Sequence, residues 1–184
     1  MNIEELREGI LQQCFVREDT LFASGVTANN KLDVERLDNN SDLTTEVVRR
    51  TGRLVLEDAP DFIVGVPNGA NWLAQRVADR TRMNLVLLHA DSDKNISYED
   101  KHSEFIAKHG FRGVLIEDVF NRFTSTRRVL DVEPLGTKIG SVVSVWDRGN
   151  THERTELEIP HTSLITQFIP EQLTSDSELW KYSA

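Results

Sequence analysis

Two adjacent carboxylates, Glu117 and Asp118, directly follow the apolar run Val114-Leu115-Ile116, which is typical of a buried strand. Three hydroxyl-bearing residues, 124 to 126, come shortly afterwards and open a segment with helical spacing. Carboxylates in this place can hold the vicinal hydroxyls of a sugar through charge-assisted hydrogen bonds, and they attract Mg²⁺, which prefers hard oxygen ligands. Hydroxyls and free backbone N–H groups at a helix start suit a phosphate. Together these residue types predict a site for a phosphorylated ribose.

The same residues also have a structural interpretation. In it the two acids are only solvated, and Thr124 or Ser125 is an ordinary helix cap. The position of the pair, between a buried strand and a hydroxyl-rich helix start, favours the functional interpretation.

The rest of the chain predicts the elements that position these residues. Four runs are apolar throughout and are predicted to be strands: 62–64, 85–88, 114–116 and 142–146. Helical spacing is found between them, from Ser41, over 70–78 and from about Thr124. This alternation predicts an α/β fold with a mostly parallel central sheet and helices on both faces. Ligands of such sheets bind at the carboxyl ends of the strands, where residues 65–71 and 117–126 are predicted to lie.

Two further segments have less regular patterns. Residues 31–34 are predicted to form a short edge strand. The polar run ADSDKNISYEDKHSE, which follows the strand over 85–88, is predicted to be an exposed loop of about 15 residues.

Composition limits the possible partners and location. The length of 184 residues predicts a single domain that spans residues 1–184. The net charge of -9 argues against nucleic acid and against anionic membranes as partners, since both need a basic surface. The single cysteine, Cys14, excludes a disulfide within the chain and fits a reducing compartment. The sequence therefore predicts a cytoplasmic protein.

Residues 114–125, VLIEDVFNRFTS, resemble the phosphoribosyl-diphosphate signature of the type I phosphoribosyltransferases, in which two acids and a Thr/Ser-ended loop follow an apolar strand. Other segments are similar, in matching order, to parts of the orotate phosphoribosyltransferases. They are an N-terminal substrate segment (22–25 and 31–33), a diphosphate loop (65–70), a late strand ending in Asp-Arg (141–149) and a closing strand (161–166). The resemblance covers roughly residues 1–170.

This resemblance implies a reaction and a set of site residues. A nitrogen of a base, or of a nucleotide precursor, would displace diphosphate from phosphoribosyl diphosphate, with Mg²⁺ as cofactor and a homodimer as the assembly. Glu117 and Asp118 would be catalytic, and Asp118 would also contact the metal indirectly. The remaining assignments are the 5′-phosphate (Asn121, Arg122, Phe123, Thr124, Ser125), the diphosphate (Val66, Pro67, Asn68, Gly69, Ala70), the base (Lys31, Arg148), a closing hood loop (Lys94, Lys101, His102) and an N-terminal hood segment (residues 1–40).

Three departures from the family pattern leave the activity open. Arg122-Phe123 occupies the place of a Thr-Gly pair, where a phenylalanine strains a left-handed position and adds bulk beside the phosphate. Asp91 and Asp93 follow the second strand in place of a basic pair, and Ala28-Asn29-Asn30 replaces a pattern of small residues and proline.

Two hypotheses therefore remain. One is an orotate-type phosphoribosyltransferase, and the other is a catalytically silent relative that senses a nucleotide or binds a partner protein. The first is favoured slightly, because Glu117, Asp118, Ser125 and the loop over 65–70 are retained.

Overall fold

The computed structural model describes residues 1–108, 110, 112–149 and 157–183. Its α-helices are α1 (Ile3–Cys14), α2 (Ser41–Glu57), α3 (Asn71–Thr81), α4 (Ser103–Ala107) and α5 (Thr124–Leu130). Its strands are β1 (Phe15–Leu21), β2 (Thr27–Leu32), β3 (Phe62–Gly65), β4 (Asn84–Val86), β5 (Leu88–Ala90), β6 (Ile96–Tyr98), β7 (Gly113–Phe120), β8 (Ile139–Asp147) and β9 (His161–Thr166). None of the helices within these described ranges is long and apolar enough to cross a lipid bilayer.

Five strands form a parallel sheet in the order β4-β3-β7-β8-β9. All four residues of β3 are buried, as are the first five of β7, because helices cover the sheet. The predicted α/β fold with a parallel central sheet is confirmed. The sheet places the carboxyl ends of β3, β7 and β8 side by side, which is where the predicted site residues lie.

Helices α2 and α3 pack together over this sheet. Helix α2 begins where the Asn40 side chain accepts a hydrogen bond from the Leu43 backbone N–H at 3.2 Å. Its buried face includes Gly52, where an added Cβ would lie 3.3 Å from Cγ2 of Thr81 on α3. The missing side chain therefore lets the two helices approach closely.

The N-terminal part holds α1 and the antiparallel pair β1–β2, which the sequence predicted only in part. Strand β2 spans Thr27–Leu32, whereas a strand over 31–34 was expected, and Val34 begins a 3₁₀ helix. Its partner β1 was not predicted. Most of the β1 residues after Val16 are charged and exposed, so that half of the strand carries no apolar signal.

The segment over 90–104 is mostly exposed, as predicted, but it is not a loop, because it contains a hairpin, a 3₁₀ helix and the start of α4. The predicted strand over 85–88 divides at Leu87: Asn84–Val86 pairs with β3, and Leu88–Ala90 forms an antiparallel hairpin with Ile96–Tyr98. The Asp91 carboxylate closes the turn by accepting hydrogen bonds from the backbone N–H groups of Asp93 (2.9 Å) and Asn95 (2.8 Å). A polar side chain, and not an apolar pattern, thus sets this hairpin.

After β9, residues 167–173 run along the end of the sheet, and we call them the C-terminal strap. The Ile169 N–H donates to the Arg148 carbonyl at 3.1 Å, and the Asn29 N–H of β2 donates to the Glu171 carbonyl at 3.0 Å. A short 3₁₀ helix, Glu178–Tyr182, follows and packs Trp180 against Phe15. The strap therefore connects the sheet to the β1–β2 pair.

Candidate active site

A cavity of about 360 Å³ opens at the carboxyl ends of the central strands. Its lining combines three parts of the chain that are far apart in sequence. They are residues 20–35 of the N-terminal part, Gly69 of the loop after β3, and residues 117–126 with Arg148 at the ends of β7 and β8. Most of the residues that the sequence assigned to the ribose, the 5′-phosphate and the base therefore face one cavity.

The acid pair lies inside β7 and not after its end, which corrects the sequence-based boundary. The strand continues to Phe120, which pairs with Asp147 of β8. Glu117 is buried, and its Oε2 accepts a hydrogen bond from the Thr126 hydroxyl at 2.9 Å. Thr126 belongs to α5, so this hydrogen bond fixes the helix start beside the strand.

Burial raises the pKa of Glu117 well above its ordinary value, and the neighbouring Asp118 carboxylate raises it further. Burial also raises the pKa of Asp118. The pair thus resists carrying two negative charges without a compensating ligand. Hydroxyl groups that donate into the pair, or a cation beside it, would relieve this repulsion.

The loop after β3 closes directly on the acid pair. A Cβ added to Gly69 would lie 2.8 Å from Oδ2 of Asp118, so any larger residue here would displace the Asp118 carboxylate. Within the loop, the N–H of Val66 donates to the Ile116 carbonyl at 2.9 Å, and that of Ala70 donates to the Val66 carbonyl at 3.0 Å. Because proline has no N–H, Asn68 and Gly69 carry the loop amides that lie outside these bonds.

The loop that the sequence assigned to the 5′-phosphate has the strained backbone that was predicted for Phe123. Phe123 has φ of 59° and ψ of 14°, which is the left-handed region. Its ring is 4% exposed and packs 4.8 Å from the ring of Phe120 and 5.0 Å from that of His161. Apolar packing therefore holds the loop where the family pattern uses a glycine.

Arg122, the other unusual residue of this loop, forms an ion pair with Glu171 of the C-terminal strap. Its Nε and Nη2 lie 3.0 Å and 2.9 Å from Oε1 of Glu171. Arg122, Thr124 and Ser125 all line the cavity. No local pattern predicted this partner, because the two residues are 49 positions apart in the chain.

Arg148, which the sequence assigned to the base, also lines the cavity and is 1% exposed. Its Nη2 donates to Asn30 Oδ1 at 2.8 Å and to the carbonyls of Ile169 and Pro170, each at 3.1 Å. The guanidinium also lies over the Phe22 ring at 5.2 Å. Burial lowers its pKa to about 10, so the group keeps its charge at neutral pH.

Lys31, the second residue assigned to the base, also lines the cavity, but two carboxylates compensate its charge. Its Nζ lies 2.9 Å from Glu18 Oε2 and 3.7 Å from Asp33 Oδ2. The hydrogen bond to Glu18 is the main cause that raises the pKa of Lys31. Arg148 is therefore the better placed of the two cations to meet an anionic ligand.

The residues assigned to the hood loop lie elsewhere. Lys94 is at the tip of the β5–β6 hairpin, and Lys101 and His102 are in the 3₁₀ helix that follows it. None of the three lines the cavity. Lys101 instead contacts Glu99 at 2.6 Å.

The side chains available as ligands decide whether the expected Mg²⁺ could bind in the cavity. Among the described residues, no three His, Cys, Asp or Glu side chains form a group that could hold a metal ion. Mg²⁺ often binds through one or two carboxylates together with substrate phosphates. Asp118, which lines the cavity beside Gly69, fits such a partial site.

Family models and curated protein sequences give no match to this chain. Solved structures do match. Orotate phosphoribosyltransferase from Aeropyrum pernix is 17% identical over 90% of this chain and 94% of that chain, with a TM-score of 0.63. The orotate phosphoribosyltransferase of Mycobacterium tuberculosis H37Rv, in complex with phosphoribosyl diphosphate, is 18% identical over 89% and 95%, with a TM-score of 0.62. Adenine phosphoribosyltransferase from Rhodothermus marinus is 12% identical over 89% and 99%, with a TM-score of 0.63. The chain therefore has the type I phosphoribosyltransferase fold.

Proposed function

We propose that this chain is a phosphoribosyltransferase of the orotate type, which transfers ribose 5-phosphate from phosphoribosyl diphosphate to a nitrogen base. One observation carries the proposal. The acid pair, the hydroxyl-bearing loop and Gly69 line one cavity at the carboxyl ends of the parallel strands. A structural neighbour from M. tuberculosis, named for its complex with phosphoribosyl diphosphate, supports this choice of ligand.

The residues that line the cavity bind different parts of the substrate, according to their positions. Glu117 and Asp118 hold the ribose hydroxyls, and the hydroxyls of Thr124 and Ser125 hold the 5′-phosphate. The amide of Gly69 faces the diphosphate, which leaves when the base nitrogen bonds to the anomeric carbon. Mg²⁺, when bound, neutralises charge on the departing diphosphate, and Asp118 is the carboxylate placed to contact it.

Arg148 supports an anionic base. No carboxylate of the described residues forms a direct ion pair with it, and the charge of Glu171 acts on it only at longer range. Its hydrogen bonds to Asn30 and the strap use Nε and Nη2. A carboxylate-bearing pyrimidine such as orotate would compensate this charge, whereas uracil would not.

The test is a calorimetric titration of phosphoribosyl diphosphate into the purified protein, with and without Mg²⁺. We expect Mg²⁺-dependent binding, followed by formation of a nucleotide with orotate but not with uracil. Absence of binding at millimolar ligand would contradict the proposal and favour the catalytically silent alternative.

A further inference from the structure

The C-terminal strap, residues 167–173, holds two of the arginines that line the cavity. Carbonyl groups of Ile169 and Pro170 accept hydrogen bonds from Arg148, and the carboxylate of Glu171 pairs with Arg122. Both arginines line the cavity, whereas Glu171 does not. One short segment thus fixes the cations at the predicted base end and the predicted phosphate end.

The Arg122–Glu171 pair is mostly shielded from water. The side chains are 18% and 21% exposed, and two nitrogens of Arg122 approach the same oxygen of Glu171, at 3.0 Å and 2.9 Å. An ion pair of this exposure is screened less by solvent than one on the surface. Glu171 therefore draws the guanidinium towards the strap and offsets its charge beside the phosphate loop.

The backbone of Glu171 is itself held in place. Its carbonyl accepts hydrogen bonds from the Asn29 N–H at 3.0 Å and from the Asn30 side-chain amide at 3.1 Å. Two residues further on, the Leu173 N–H donates to the Asn29 side chain at 2.9 Å. The acid is therefore pre-positioned against Arg122, and ordering it costs no further entropy.

We propose that Glu171 competes with the ligand phosphate for Arg122 and thereby sets the affinity of the cavity for phosphorylated ligands. The inference rests on the proposed function, because it takes the loop over 121–125 as the phosphate site. A phosphate that enters beside Thr124 and Ser125 meets an arginine already paired with a carboxylate. To use that arginine, the phosphate must displace Glu171 or share the guanidinium with it.

The experiment is a titration of ribose 5-phosphate into the wild type and into Glu171→Gln, which keeps the shape of the side chain and removes its charge. We expect the variant to bind about tenfold more tightly, since the charge of Glu171 no longer competes with the phosphate for Arg122. Glu178→Gln removes an equal charge from an exposed position of the terminal 3₁₀ helix and should leave the affinity unchanged. In the double variant Arg122→Gln/Glu171→Gln, the gain should disappear.

An affinity that is unchanged or weaker in Glu171→Gln would overturn the inference, as would a gain that survives loss of Arg122. Should Glu171→Gln fail to fold, Glu171→Asp withdraws the carboxylate by one methylene and should give a smaller gain of the same sign. Failure of the proposed function would give a different result from failure of this inference. In that case Glu171→Gln gains affinity for ribose 5-phosphate, but neither protein shows Mg²⁺-dependent binding of phosphoribosyl diphosphate.

Discussion

Glu117 is buried in the core of the sheet with Asp118 as its neighbour, and its hydrogen bond to Thr126 does not offset the cost of ionising it. The folded protein therefore holds a proton that the unfolded chain has already released at the same pH. Such a carboxyl stabilises the fold below its unfolded-state pKa of about 4.5, and this stabilisation is lost as the pH rises through the raised folded-state pKa.

The substitution Glu117→Gln tests how much the ionisation of the buried Glu117 carboxyl destabilises the fold. The amide oxygen can still accept from Thr126, but the group no longer ionises. We expect the thermal midpoints of wild type and variant to be similar near pH 4, and that of the variant to be a few degrees higher at pH 8, given that about 1 kcal/mol shifts the midpoint by about 2–4 °C in a domain of this size. Thermal unfolding from pH 4 to 8 measures the difference.

Parallel pH curves for wild type and Glu117→Gln would contradict the expectation. Glu178→Gln is the matched control, because it removes an exposed carboxylate and should leave the pH dependence as it is. If the proposed function is right, Glu117→Gln also weakens the binding of phosphoribosyl diphosphate, so that stability and binding move in opposite directions.

Asp118 gives the corresponding prediction for binding. Asp118→Asn should weaken Mg²⁺-dependent binding of phosphoribosyl diphosphate by about tenfold or more, because it removes charge-assisted hydrogen bonds to the ribose. The thermal midpoint should change little, since hydrogen bonds from Glu117 and the Val119 N–H offset part of the cost that burial imposes on the charged form of this group. Calorimetry and thermal unfolding check the two parts, with Asp131→Asn, exposed after α5, as the control. Unchanged affinity would remove Asp118 from the site.

At the scale of the element, the turn from β7 into α5 combines a strained backbone with a buried ring. Phe123 adopts φ of 59°, and its side chain packs on Phe120 and His161. A left-handed conformation costs a residue with a Cβ about 1–2 kcal/mol, whereas loss of a buried phenylalanine ring costs about 3–5 kcal/mol. Packing therefore outweighs strain, which explains how a phenylalanine can stand where a glycine was expected.

Two substitutions at this position separate strain from packing. Phe123→Ala and Phe123→Gly both remove the ring, but only the glycine also relieves the left-handed strain. We expect both to be destabilised, with the glycine variant about 1 kcal/mol more stable than the alanine variant. Chemical denaturation measures both. An alanine variant as stable as the glycine variant would show that the turn relaxes once the ring is gone.

The elements that were predicted from the sequence share one property, which is that their own residues determine them. Strands β3, β7 and β8 each contain a run of apolar residues, and helix α2 has a regular buried face, so local patterns located them all. The β5–β6 hairpin was missed because the side chain of Asp91 closes its turn. Where a single polar side chain decides the backbone path, hydrophobic periodicity carries no information.

At the scale of the whole molecule, residues distant in sequence complete the site. Asn30 and Arg148 are 118 residues apart, and Asn29 and Leu173 are 144 apart. Ala28-Asn29-Asn30 and Arg122-Phe123 were recognised from the sequence as departures from the family pattern. The sequence did not indicate that Asn29, Asn30 and Arg122 all bind the C-terminal strap. Asn29, Asn30 and Arg122 are thus partners in one set of tertiary contacts, which explains why these three departures were not interpretable one at a time.

Asn30 is the residue on which these contacts converge. It is fully buried, its Oδ1 accepts from Arg148 at 2.8 Å, and its amide donates to the carbonyls of Pro170 and Glu171 at 3.0 Å and 3.1 Å. Asn30→Ala would leave a buried cation and two strap carbonyls with fewer partners. We expect it to lower the free energy of unfolding by about 2–4 kcal/mol and to speed amide exchange in the strap.

Asn29→Ala is the matched comparison, since Asn29 binds the strap through Leu173 but does not contact Arg148. Its side chain makes two hydrogen bonds with Leu173 and accepts one from the Asn30 amide, all between neutral groups, and each should contribute about 1 kcal/mol or less, so the variant should lose less stability than Asn30→Ala. Chemical denaturation and hydrogen exchange of the two variants measure the difference. Equal costs would mean that the Arg148 contact adds nothing to stability. The larger cost for Asn30→Ala would instead show that the charge at the predicted base end depends on the same strap that holds Arg122 at the phosphate end.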